Sequence, residues 1–166
     1  MVKSRKIISV LMAIITLMSA FSFGTTTALA AEKGAAKAYA AVSKSYGKAF
    51  PFSKDDKITS KTRVMGVSSK YYSEVYAASK TTGGRKQSQY NIFIAKAKSK
   101  KDIKKIKSAL ENYLENEEDS MSSYLSDTGK KLYKNAKIAS KGNYVYLVMI
   151  DTDSNKKATK AIKNAL

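Results

Sequence analysis

Between Ala31 and Leu166 the chain carries only 23 Leu, Ile, Val and Phe residues, about 17% of 136 positions. With a strong positive charge, that supply of apolar side chains is what a disordered chain would have. Two features argue for folding. All eleven tyrosines fall in this stretch, and each can bury a large ring. The apolar residues are also periodic rather than scattered. The expectation is one small domain with a thin core and no disulfide, because the chain has no cysteine.

The count starts at Ala31 because the preceding residues read as an address. Lys3, Arg5 and Lys6 form a positive n-region, Ile7–Phe23 is an almost unbroken apolar run, and Ala28-Leu29-Ala30 supplies small residues at the two positions a signal peptidase reads. The expected product is cleaved between Ala30 and Ala31 and exported. The alternative is an uncleaved signal-anchor, since the apolar run is nearly long enough to span a bilayer. Without a cysteine there is no residue for a lipoprotein anchor.

Residues 1–30 hold three of the 31 basic side chains and none of the 13 acids, which leaves +15 on residues 31–166. Of the 28 basic residues there, only Arg63 and Arg85 are arginine. Lysine is a hydrated point charge without the planar fork that reads phosphates or bases in fixed geometry. Diffuse attraction to polyanions is expected rather than detailed readout.

Hydrophobic patterning divides the stretch. Glu32–Ala49 reads as an alanine-rich helix ended by Phe50-Pro51-Phe52. Lys57–Met65 reads as a short helix closing at Gly66. Glu74–Lys80 and Gln89–Ala97 read as a hairpin turning through Thr81–Lys86. Ser99-Lys100-Lys101-Asp102 has capping-box character and opens a helix with a stripe at Ile103, Ile106, Leu110, Tyr113 and Leu114. Met121–Tyr133 reads as a partly helical connection. Ala136–Ser140 and Tyr144–Ile150 flank a Lys141-Gly142-Asn143 turn, with Tyr144–Ile150 as a central strand. Ser154 is expected to cap a last helix to Leu166. The fold class expected is α+β: a small, mostly antiparallel sheet of about four strands in two hairpins, with helices packed on one face.

Histidine and cysteine are absent, which removes Ser-His-Asp and Cys-His triads, thiol redox chemistry and the usual zinc sites. Ser45/Lys48 and Ser154/Lys157 have Ser-x-x-Lys spacing, no more than chance provides in so serine- and lysine-rich a chain. Asp151–Asn155 begins like a calcium loop, but Lys156 stands where glycine is needed and Ile162 where the bidentate glutamate belongs. The acids at 115–119 read as a solvated helix end. No cofactor and no metal are expected.

Charge along the 99–119 helix is more informative. Lys100, Lys101, Lys104, Lys105 and Lys107 crowd its first half and Glu111–Asp119 its end, against the preference of the macrodipole. Ammonium groups around free N–H donors make an anion site, so Lys100, Lys101 and Lys104 are the candidate anion-binding residues. The Gly83-Gly84-Arg85-Lys86 turn is a weaker candidate.

The segments Asn91–Lys98, Ile103–Tyr113 and Gly142–Tyr146 together resemble a domain-of-unknown-function family of small secreted or lipid-anchored proteins of Gram-positive anaerobic bacteria. Its pattern is an Ile-x-Ile-x-Lys-Ala-Lys strand, a helix ending near Ala-Leu-x-x-Tyr and a final Gly-Asp/Asn-Tyr-Val strand. The likeness spans roughly residues 37–151. It implies no activity and no site residue, and the lipid-anchoring cysteine of many relatives is missing here.

The functional expectation is a non-enzymatic binding module of the cell envelope, held by anionic wall polymers or lipid headgroups. One alternative is an envelope enzyme using carboxylate or lysine chemistry, which needs a cleft with a strongly shifted pKa. Extracellular nucleic-acid binding ranks last, because most tyrosines sit at core-like spacing.

Overall fold

The computed structural model describes residues 34–166; Ala28, Ala30 and Ala31 lie outside them. Helix α1 (Gly34–Tyr46) runs into a single 3-10 turn, Gly47–Ala49. Gly47 takes a φ of 56° there, the left-handed geometry that ends helices. A two-residue pair, β1 (Arg63–Val64) and β2 (Val67–Ser68), follows, then a 3-10 turn at Ser69–Tyr71. The long hairpin is β3 (Tyr72–Gly83) and β4 (Gln87–Ala97). Helix α2 (Lys100–Met121) and the shorter α3 (Asp127–Lys134) come next. The chain closes with β5 (Lys137–Lys141), β6 (Tyr144–Met149) and α4 (Lys156–Ala165).

The helix expected over Lys57–Met65 does not form. Met65 and Gly66 both have positive φ, 45° and 75°, which is the requirement of a two-residue hairpin turn. Val64 and Val67 pair across it and bury their β-branched side chains. The partly helical connection condenses into α3, whose N-cap Ser126 accepts a hydrogen bond from the Gly129 N–H at 2.9 Å. The cap of α4 is Asn155, one residue beyond the expected Ser154. Its side chain accepts from the Ile150 N–H and donates to the Asn135 carbonyl, tying the helix start to the end of β6.

The protein is α+β, with a four-stranded antiparallel sheet in the order β3-β4-β6-β5. β6 is central, as its composition predicted. Ile92 faces Val148 and Ile94 faces Tyr146, while Phe93 faces Leu147 and Ala95 faces Val145. Successive side chains point to opposite sides, and both sides are buried.

Ile92, Ile94, Tyr146 and Val148 pack with Ala35, Ala38 and Val42 of α1 and Ala158 and Ile162 of α4. Phe93, Ala95, Val145 and Leu147 pack with Ile106 and Leu110 of α2 and with the β1–β2 hairpin. Helices therefore cover both faces of the sheet, not one. The near-continuous apolar runs of β4 and β6 are the physical reason, since a strand wet on one side would alternate. Burying each of these large side chains contributes about 1.5–3 kcal/mol, which is how a thin apolar supply suffices.

A smaller cluster of Leu125, Leu132, Tyr133 and Met149 seats α3. The outer edge of β3 is shielded by residues 56–58, with Ile58 N–H donating to the Ala77 carbonyl and Ser79 N–H to that of Asp56. Among the described residues no helix is long and apolar enough to cross a membrane.

Candidate anion-binding groove

The β1–β2 hairpin presses on α2 closely. A side chain at Gly66 would meet the Ala109 carbonyl at 3.1 Å and Tyr113 Cβ at 3.3 Å. That contact brings the next turn, Ser69–Tyr71, alongside the first half of α2. Tyr71 then shares an open groove of about 510 Å³ with Lys101, Lys104, Lys105, Ser108, Ala109 and Asn112. Lys70 Nζ stands 5.0 Å and Lys105 Nζ 5.1 Å from the centre of the Tyr71 ring, within cation–π range.

Of the residues expected from sequence, Lys101 and Lys104 line this groove and Lys100 does not. Lys105 joins because it follows Lys101 by four residues on the same helix. Tyr71 comes from a separate turn some thirty positions earlier, and nothing local in the sequence assigns it to α2.

The helix start is less purely cationic than its lysines imply. Ser99 does not cap α2 through its hydroxyl; that hydroxyl donates to Asp102 at 2.6 Å. Asp102 also meets Lys105 Nζ at 3.6 Å. The Ser99 hydrogen bond first, and the Lys105 ammonium after it, hold the Asp102 carboxyl below its ordinary value. An acid thus shares the first turn with Lys100 and Lys101, at the end where the macrodipole favours it.

The other chemistry-bearing residues have structural employment. Glu117 approaches Gln89 Nε2 at 3.4 Å, and Gln89 Oε1 accepts from the Tyr133 hydroxyl at 2.6 Å, so one acid of the 115–119 segment reaches inward. Burial, with Glu117 beside it, pushes the Tyr113 phenol up to about 12 and raises Tyr133 further. Phenols raised by burial are core groups held neutral, not proton donors near neutral pH.

Asp151 accepts from the Tyr46 hydroxyl and the Asp153 N–H, making a turn before α4. Ser45 Oγ donates to the Val42 carbonyl at 2.8 Å within its own helix. Lys86 in the β3–β4 turn donates to the Ser123 carbonyl at 3.1 Å. Among the described residues, no three His, Cys, Asp or Glu side chains stand together as a metal site.

Sheet, helices and groove define an α+β domain in which three lysines of α2 line a groove with Tyr71. The family model described as Domain of unknown function (DUF4358) matches residues 52–150, and the chain belongs to that family. The match takes in the sheet, α2, α3 and the groove, and leaves α1 and α4 outside it. No curated protein and no solved structure matches the chain.

Proposed function

We propose that the protein is a non-enzymatic binding module of the cell envelope that holds phosphate-rich anionic polymers. The observation that carries this reading is the convergence of Lys101, Lys104 and Lys105 on one groove beside Tyr71. Ammonium groups that stay hydrated and mobile suit a flexible polyanion, because the attraction does not depend on a fixed angle. Ser108 and Asn112 supply neutral hydrogen-bonding groups along the same wall. The n-region, apolar run and Ala28-x-Ala30 of the first thirty residues support export to that compartment.

Polyphosphate of defined length is a direct probe. Replacing Lys101, Lys104 and Lys105 together by glutamine is expected to weaken its binding about thirtyfold at low salt, about 2 kcal/mol for three exposed ion pairs. Unchanged affinity would remove the groove from the reading. On cells, the protein should stay with the envelope at low salt and wash off as salt rises. Release into the medium already at low salt would defeat the envelope assignment.

A further inference from the structure

A second basic surface lies on the opposite side of the sheet, in the layer formed by α1 and α4. Neither helix contains an Asp or a Glu. Their inward faces are small and apolar: Ala35, Ala38 and Val42 from α1, Ala158 and Ile162 from α4. Their outward faces carry Lys37 and Lys44, with Lys48 in the turn that follows α1, and Lys156, Lys160 and Lys163, all exposed. Lys37 and Lys44 are seven residues apart, and Lys156, Lys160 and Lys163 keep the i, i+4, i+7 spacing, so each set forms one stripe. Lys157 joins the two helices, its Nζ lying 4.7 Å over the Tyr46 ring.

Helix stability accounts for Lys44 and Lys163, which lie in last turns where the macrodipole favours positive charge, but not for the rest of the arrangement. The first turn of α4 has two lysines and no acid, at the end where the macrodipole disfavours positive charge. Around the lysines of α1 lie the short residues Ala36, Ala40, Ala41 and Ser43, with the half-buried Tyr39 between them. Two acids touch the layer at its margins: Glu74 of β3 accepts from the Ala35 N–H at 3.3 Å at the start of α1, and Asp151, in the turn before α4 with Asp153, is held by Tyr46 and by a backbone N–H. The face therefore differs from the α2 groove, where Asp102 pairs with Lys105.

From this juxtaposition we infer that the outer face of the α1–α4 layer docks on the headgroup plane of an anionic bilayer. Two helices lying side by side on a sheet present a broad surface with a lysine stripe on each helix. That shape fits a planar array of charges better than a single polymer strand. Long lysine side chains reach such a plane while their stems stay over the helix, and juxtamembrane lysines act additively on anionic lipid. The inference goes beyond the groove and stands on different residues.

The test is cosedimentation of the full chain with vesicles of phosphatidylglycerol and phosphatidylcholine in equal parts, and with phosphatidylcholine alone. The apolar run 7–23 and the basic Lys3, Arg5 and Lys6 before it are common to every variant, so the reading is the difference between variants. Replacing Lys37, Lys44, Lys160 and Lys163 by glutamine is expected to lower the anionic-specific binding at least about tenfold. Replacing Lys54, Lys61, Lys98 and Lys134, an equal charge change elsewhere on the surface, should lower it less than about threefold. The variant lacking Lys101, Lys104 and Lys105 should lose polyphosphate and keep the vesicles.

Equal losses in the two fourfold variants would mean that net charge alone governs binding, and would overturn the inference. Loss of polyphosphate with vesicles retained in the α1–α4 variant would assign the face to soluble polyanions and overturn it equally. A reporter independent of lysine replacement is a fluorophore on A40C, a unique cysteine in this chain. It should become shielded from acrylamide on anionic vesicles, while one on T62C stays accessible; equal accessibility of both would also reject the docking face.

Discussion

The two faces of the sheet are covered by opposite means. On one, α2 and the β1–β2 hairpin bring bulky residues, Ile106, Leu110, Val64 and Val67, onto Phe93 and Leu147. On the other, α1 and α4 bring mostly alanines onto Ile92, Ile94 and Tyr146, so the sheet supplies the large side chains and the helices lie close against it. The first face falls within the family match and the helices of the second fall outside it. Their solvent sides differ as well: α2 is split into a basic and an acidic half, whereas α1 and α4 carry lysine alone. Interior packing and exterior charge are thus set independently on each side, which is why charge pattern, rather than burial, separates the two candidate surfaces.

The largest effect should come from emptying the bulky side. Phe93 is fully buried, and Phe93→Ala is expected to cost about 3–5 kcal/mol in denaturant unfolding. A loss below about 1 kcal/mol would mean that this face is not the principal core.

The close-packed side should fail in the other direction. Ala38 is fully buried under α1, and Ala38→Leu is expected to cost about 1–3 kcal/mol by overpacking. Stabilisation by the larger side chain, read from a raised midpoint, would show that the alanine layer is loose.

The smallest effect is a difference in acid response. Asp102 has a depressed folded pKa, so its stabilising contribution is complete above the ordinary carboxylate value of 3.8 and is lost as pH falls through the lower, folded value. Asp102→Asn should flatten the acid limb of the stability–pH curve slightly, whereas α1 and α4 have no carboxylate to give such a slope. An unchanged limb would mean that the Ser99 and Lys105 contacts do not persist in solution.

The sequence made the sheet legible because β4 and β6 carry their pattern locally, as consecutive β-branched and aromatic residues, and α2 declared itself through a five-residue stripe. Two-sided burial went unread, although the pattern held it: Tyr144–Met149 does not alternate. The Lys57–Met65 segment misled because Met at positive φ is uncommon, and only tertiary contact with α2 makes that turn worthwhile. Part of the groove was legible: of Lys100, Lys101 and Lys104, the last two line it, and Lys105 takes the place given to Lys100. Tyr71 was not, because its place depends on how closely Gly66 lets the hairpin approach. The lysine face of α1 and α4 was hidden for the same reason: each helix reads as an ordinary solvated surface until the fold sets the two side by side.

The pairing of α1 with α4 also bears on the order in which the molecule is assembled. These helices lie far apart in the described chain and share one layer, so α1 lacks part of its environment until α4 has been made. Contacts between distant segments delay folding, and here they close the layer over Ile92, Ile94 and Tyr146. Until α4 arrives, that side of the sheet stays only partly covered. Docking of α4, rather than formation of the hairpins, is the event that closes this layer.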